Sequence, residues 1–130
     1  MTIEEPAEPM TKERLLEIRT YRIRDGQRDE FGRRVAAVIP MLHRYGIDVV
    51  GHGPSIEDEL HYVLLRSFAS LDDLDQQEAG FYGGDEWRSG PREGILEHIQ
   101  AYHTVVLRST EEAVRALAAS LATTDEAGRA

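Results

Sequence analysis

His52 and His61 flank a short turn-forming stretch, Pro54 to Glu59, between two β-prone runs. In a tight hairpin with Gly53 opposite Leu60, the two imidazoles would stand directly across from each other, their β-carbons roughly 5 Å apart. At that distance they can run acid–base chemistry near neutral pH. With Asp48 they could begin a metal site, but no third ligand has convincing spacing and no metal is expected. A one-residue slip in register separates them, and both would then stand solvated and idle at the hairpin end. Arg19 and Tyr21 share a strand face with Glu17. A guanidinium facing the helices of a domain cannot stay unpaired. It either holds a carboxylate or enolate oxygen, with the Tyr21 hydroxyl donating alongside, or closes an internal ion pair with Glu17 or a helix acid. Arg66 poses the same alternative: it extends a cationic patch or makes a salt bridge at the rim. The catalytic set expected from these patterns is Arg19, Tyr21, His52 and His61.

The run from Phe81 to Arg92 holds the only tryptophan, Trp87, together with Tyr82, Arg88 and Arg92. A turn this rich in Gly, Pro and large side chains must pack them onto something, either as a lid on a pocket or at a subunit interface. On one reading Tyr82 and Trp87 form a stacking wall, and an anion sits near the helix start at Pro91. On the other, Trp87 is a hydrophobic plug, and Arg88 and Arg92 are tied to Asp85, Glu86 or Glu93. His43 and His98 read as surface residues of helices, and His103 as a residue of the last strand facing a dimer seam.

The elements that must position these residues follow from periodicity. Leu15 to Ile23 alternates as a strand, with Glu17, Arg19 and Tyr21 on one face and Leu16, Ile18 and Thr20 on the other. Asp25-Gly26 signals a turn. Phe31, Val35, Val38, Leu42 and Tyr45 mark one face of a helix from about Gln27 to Tyr45. Pro40 should kink that helix or start a second segment, and Gly46 should stop it. Strands are expected over Ile47 to Gly53, Leu60 to Ala69 and Ala101 to Arg108. Ser70-Leu71-Asp72-Asp73 opens a helix to about Ala79 with a capping pattern. Pro91 starts another helix, and Ser109 or Thr110 caps a last one through about Leu121. The order β-α-β-β-α-β with an added helix predicts an α+β, ferredoxin-like fold: a four-stranded antiparallel sheet with helices on one face. Val63, Val105 and Leu107 need cover, which a second copy packed sheet to sheet would supply. A homodimer is therefore the expected assembly.

At 130 residues and 41% hydrophobic, the chain suits one globular domain. Residues 1–13 read as a disordered acidic arm, 14–122 as the domain and 123–130 as a flexible tail. There is no cysteine, so disulfides, thiolate zinc sites and cysteine nucleophiles are excluded. No apolar run approaches the roughly 20 residues of a membrane span, and nothing resembles a signal peptide. The expected location is the cytoplasm. The net charge of −9 without a basic stripe argues against nucleic acid and anionic membranes. The absence of a phosphate loop, a GxSxG elbow, HExxH and a dinucleotide fingerprint leaves ATP, serine-hydrolase, zincin, flavin and NAD chemistry unsupported.

Glu17-Ile18-Arg19-Thr20-Tyr21, Asp25-Gly26, Phe31, the helix with Pro40, Gly46-Ile47, Phe68-Ala69-Ser70-Leu71 and Asp85-Glu86-Trp87 stand in the order and spacing of NIPSNAP-family proteins. The chain resembles that family over about residues 14–108. The resemblance implies the dimeric α+β barrel superfamily, whose members include cofactor-free oxygenases, isomerases and cyclases and some haem enzymes, with the pocket usually between sheet and helices. Arg66, Phe68, Tyr82, Trp87 and Arg92 make up the expected substrate-binding set. The function this suggests is binding of a hydrophobic or aromatic keto compound, with proton-transfer chemistry and no cofactor. The alternatives are a non-catalytic binding or assembly protein and, further off, haem binding.

Overall fold

The computed structural model describes residues 12–129. Nine elements follow in order: β1 (Glu13–Ile23), α1 (Arg28–Arg44), β2 (Asp48–Pro54), β3 (His61–Phe68), α2 (Leu71–Tyr82), α3 (Asp85–Arg88), α4 (Arg92–Leu96), β4 (Ile99–Thr110) and α5 (Glu111–Arg129). The strands form one sheet in the order β2-β3-β1-β4, and every pairing is antiparallel. This is the split βαβ arrangement predicted above. The acidic arm read over residues 1–13 lies outside the described residues, except for Lys12 and Glu13, and Glu13 already belongs to β1.

The alternation of β1 sets the layers. Glu17 and Tyr21 are buried on the helix side, where Tyr21 meets Phe31 of α1 edge to face at 5.2 Å between ring centroids. Phe31, Val35, Val38 and Leu42 are the buried stripe of α1. They join Leu64, Phe68, Leu74, Phe81 and Trp87 in one core between sheet and helices. α1 continues unbroken through Pro40 to Arg44, so no second segment starts there. Gly46 then turns the chain with φ +83, a left-handed backbone that a side chain would strain. α5 lies on the opposite face. Gly51 pairs with Leu65, which pairs with Ile18, and an added β-carbon at Gly51 would come within 2.6 Å of Leu121. A side chain there would push Leu121 aside.

The aromatic run is not a turn. α2 extends past Ala79 to Tyr82, and Trp87 sits in the single turn of α3. The physical reason is mutual packing. Phe81 stands 5.3 Å from Trp87, 5.4 Å from Tyr45 and 4.9 Å from Tyr82, centroid to centroid, and burying these rings holds the helix in place to its last residue. Ser70 caps α2 as expected, its hydroxyl accepting from the Asp73 backbone N–H. His98 is not a surface residue. It is buried, with Nδ1 2.8 Å from Gln27 Oε1.

Candidate functional site

Three elements bring charged groups to one point beneath the helices. The β1 alternation supplies Glu17, Arg19 and Tyr21. The sheet register sets Arg66 of β3 directly opposite Glu17. α2 adds Glu78 and Tyr82, one helical turn apart. Arg66 is fully buried and Glu17 is 1% exposed, so both depend on internal partners. Arg66 donates from Nε to Glu17 Oε1 at 2.6 Å, from Nη2 to Glu78 Oε2 at 3.0 Å and from Nη1 to the Tyr82 hydroxyl at 2.8 Å. Each edge of the guanidinium fork is thereby satisfied, which is the condition for a charge to persist in the interior. The salt bridge expected at the rim for Arg66 is instead made in the interior, with Glu17 and Glu78.

Arg19 occupies the next step along β1. Its Nη2 lies 3.6 Å from Glu17 Oε2 and 3.9 Å from Glu78 Oε1. Its Nε donates to Thr104 Oγ1 at 2.9 Å, and its guanidinium sits 5.2 Å from the centre of the Tyr102 ring. The internal ion pair foreseen for it is therefore present, and the same side chain also lines a cavity.

The two carboxyls around Arg66 titrate apart. Burial pushes Glu78 up to about 7, reinforced by its hydrogen bond with Glu17, while Arg66 opposes the rise. Burial works against the ionisation of Glu17 too, but the hydrogen bond from Glu78 and the charge of Arg66 outweigh it and hold Glu17 below the usual carboxylate range. The pair thus shares one proton near neutral pH, and it resides on Glu78. Burial and the neighbouring Tyr82 hydroxyl push Tyr21 up to about 12, so Tyr21 keeps its proton and can donate it in a hydrogen bond. Tyr82 accepts from Arg66, which leaves its own O–H to donate elsewhere.

Above this cluster is a cavity of about 400 Å³ between sheet and helices. Arg19, Tyr21, Glu78 and Tyr82 form its polar side, Trp87, Ile95, Ile99 and Tyr102 its apolar side, with Arg92 and Leu96 completing the lining. Its volume falls in the range of small-molecule sites, and its lining has their usual mixed character. Trp87 is at once the plug and the wall of the two sequence readings, being 6% exposed and lining the cavity. α4 is only five residues long, so the helix start at Pro91 offers little to an anion. The cationic group there is the Arg92 side chain. A larger depression, of about 720 Å³, lies among Asp25, Asp29, Asp58 and Glu59. Its one cation, Arg28, is bonded to the carbonyls of Ser55, Asp58 and His61.

Three sequence candidates are not at this site. Gly53 faces Val63, not Leu60, and His52 faces Leu64. His52 therefore shares the helix-side face with Leu64, while His61, three residues earlier on β3, points to the opposite face. The hairpin closes with Ser55 N–H to the His61 carbonyl, and Asp58 Oδ1 accepts from the Leu60 and His61 amides. That loop moves the register by an odd number of residues from the tight hairpin, which puts the histidines on different faces. His52 Nδ1 lies 2.7 Å from the Tyr62 hydroxyl, and His61 Nδ1 lies 3.0 Å from Asp58. Phe68 is 1% exposed in the core and does not reach the cavity. Among the described residues no three His, Asp or Glu side chains group as metal ligands, and no helix is long and apolar enough to cross a membrane.

Sequence reasoning missed Glu78. The signal was its spacing: Leu74 and Phe81 are the buried residues of α2, and Glu78 lies between them, at i+4 from the first and i−3 from the second. A carboxylate inside an apolar stripe needs a buried cation, and Arg66 supplies it.

No protein-family model matches the chain, and no curated protein does. Solved structures do. A NIPSNAP family protein of unknown function from Agrobacterium tumefaciens is 24% identical over 75% of this chain and 88% of its own, with a TM-score of 0.68. An uncharacterised NIPSNAP domain protein from Burkholderia xenovorans is 22% identical over 72% and 91%, with a TM-score of 0.63. A Bordetella bronchiseptica protein named for antibiotic biosynthesis monooxygenases is 20% identical over 75% and 95%, with a TM-score of 0.58. The resemblance read from the sequence is borne out in the fold: this chain folds as NIPSNAP proteins do.

Proposed function

We propose, for a chain that shares its fold with NIPSNAP proteins, that the cavity binds a hydrophobic or aromatic ketone and that Glu78 moves a proton on it without a cofactor. The observation that carries this reading is a carboxyl held near pKa 7 in the wall of a cavity, where a general base works best. Glu78 takes a proton from the carbon next to the carbonyl. The electron pair of that C–H bond passes to the carbonyl oxygen, and the enolate is held by the Tyr82 and Tyr21 hydroxyls and the charge of Arg19. In a β,γ-unsaturated ketone the pair is shared on to the γ carbon, and return of the proton there moves the double bond into conjugation and completes an isomerisation.

The test is solvent deuterium exchange into a panel of enolisable aryl ketones, followed by proton NMR. Exchange well above the buffer rate is expected. Because the ionised form of Glu78 is the base, the rate should rise with pH through about 7 and then level off. Saturable ligand binding with no exchange at any pH would leave a binding protein and end the catalytic reading.

We also propose that a second copy of the chain covers the part of the outer sheet face that α5 leaves exposed. β4 is an edge strand of twelve residues, and Val105 and Leu107 on its outer face are 53% and 49% exposed. A long apolar edge left to solvent is an aggregation hazard that proteins cover. Sedimentation velocity should give a dimer at micromolar concentration, and Leu107→Asp should shift it to monomer. A monomer for the unaltered chain would refute the proposal.

A further inference from the structure

The charges around the cavity do not balance. Arg19, Arg66 and Arg92 stand at or behind its wall against the two carboxylates Glu17 and Glu78. One positive charge is left over with both acids ionised, and more when Glu78 is protonated, in a chain whose net charge is −9. The surplus is concentrated on Arg92. Among the described residues it makes no hydrogen bond and no ion pair. The acids nearest in sequence leave it alone: Glu86 instead pairs with Arg44 and accepts from the Tyr45 hydroxyl, and Asp85 and Glu93 make no bond to it. On an acidic surface an arginine with no partner, beside an apolar pocket with aromatic walls, is a receptor for an anion that carries a ring.

We propose that the ligand of this cavity is an aromatic carboxylate, its ring set among Trp87, Ile95 and Tyr102 and its carboxylate paired with Arg92. The inference rests on the reading of this cavity as a ligand site and adds the chemical class of the ligand. It places the proton-exchanging end of the molecule toward Glu78 and Tyr82 and its acid end at the mouth. Discrimination against neutral analogues then comes from the guanidinium fork, which matches a carboxylate with two parallel N–H donors.

Isothermal calorimetry with naphthylacetate and its neutral isostere naphthylacetamide tests it, on the unaltered chain and on Arg92→Gln. The acid is expected to bind about tenfold or more tighter than the amide, the worth of a charge-assisted hydrogen bond over a neutral one. Arg92→Gln should bring the two within about threefold of each other, without changing the thermal midpoint, since Arg92 is exposed and unbonded. Equal affinities in the unaltered chain, a preference that survives Arg92→Gln, or no saturable heat from the acid would each overturn the proposal. The outcome is separable from the catalytic reading. Arg92-dependent binding of the acid with no ketone exchange would leave the ligand class standing without catalysis, and exchange on neutral ketones with no acid preference would do the reverse.

Discussion

Arg66→Met is expected to cost about 3–5 kcal/mol of folding stability, the usual result of removing one partner from a buried ion pair. The reason is what remains. Glu17, 1% exposed, would lose its 2.6 Å bond to Arg66, and its other cation, Arg19, is 3.6 Å away. Glu78 and the Tyr82 hydroxyl would each lose a donor as well. Urea unfolding should show a lower midpoint at unchanged slope. The loss should depend on pH in a definite direction. In the unaltered chain Glu17 is held below the ordinary carboxylate range. Its stabilisation is therefore present above the ordinary value and is lost as acid carries the pH down through the lowered one. Without Arg66 the penalty is greatest at neutral and alkaline pH and shrinks as acid protonates the carboxyl. Adding Glu17→Gln should recover part of the stability by removing the orphaned charge. Arg108→Met, which breaks an exposed pair with Glu13, should change nothing measurable. If Arg66→Met were as mild as Arg108→Met, the buried network would not be holding the sheet to α2.

Glu78→Gln should lower the ketone exchange rate by about 10²–10⁴, the usual contribution of a positioned general base, and the step in the rate near pH 7 should vanish. The same substitution has an opposite signature in stability. Glu78 is raised from 4.5 to about 7 in the folded chain. The stability from holding its proton is complete below its unfolded value and is lost as pH rises through about 7. Between pH 4 and pH 8 this group should remove on the order of 2–3 kcal/mol from the unaltered chain. That is about 1.4 kcal/mol for each pH unit separating the two values, less the solvent screening of a partly exposed side chain. Glu78→Gln has no proton to lose, so its stability should be flatter over that interval. Urea unfolding at the two pH values checks this directly. A variant slow in exchange yet equally pH-sensitive in folding would show that the group titrating near neutrality is another one. Loss of activity with a gain in alkaline stability is the pattern of a site kept strained for function.

Much of this was legible in the chain itself, because it depended on local rules. Strict alternation in β1 put Glu17, Arg19 and Tyr21 on one face, and two-residue periodicity allows no other outcome. Ser70 announced the start of α2, since a hydroxyl that bonds the third amide ahead is a local event. The stripe Phe31, Val35, Val38 and Leu42 told which side of α1 is buried, and the element order led to the antiparallel four-stranded sheet. Arg19, Tyr21, Tyr82, Trp87 and Arg92 were named from the chain and meet at one cavity. The remainder depended on contacts between residues far apart in sequence. The separation of His52 from His61 turned on the bonds that close a single loop around Asp58. Phe68 went to the core and not the pocket because the sheet register sets it opposite Leu15, four residues along β1 from the Arg19 that lines the cavity. Above all, the role of Glu78 was set by tertiary structure. A glutamate in an exposed helix is ordinary, and it becomes a group titrating near neutrality only when folding lays its helix over Arg66, excludes water and sets a second carboxyl beside it.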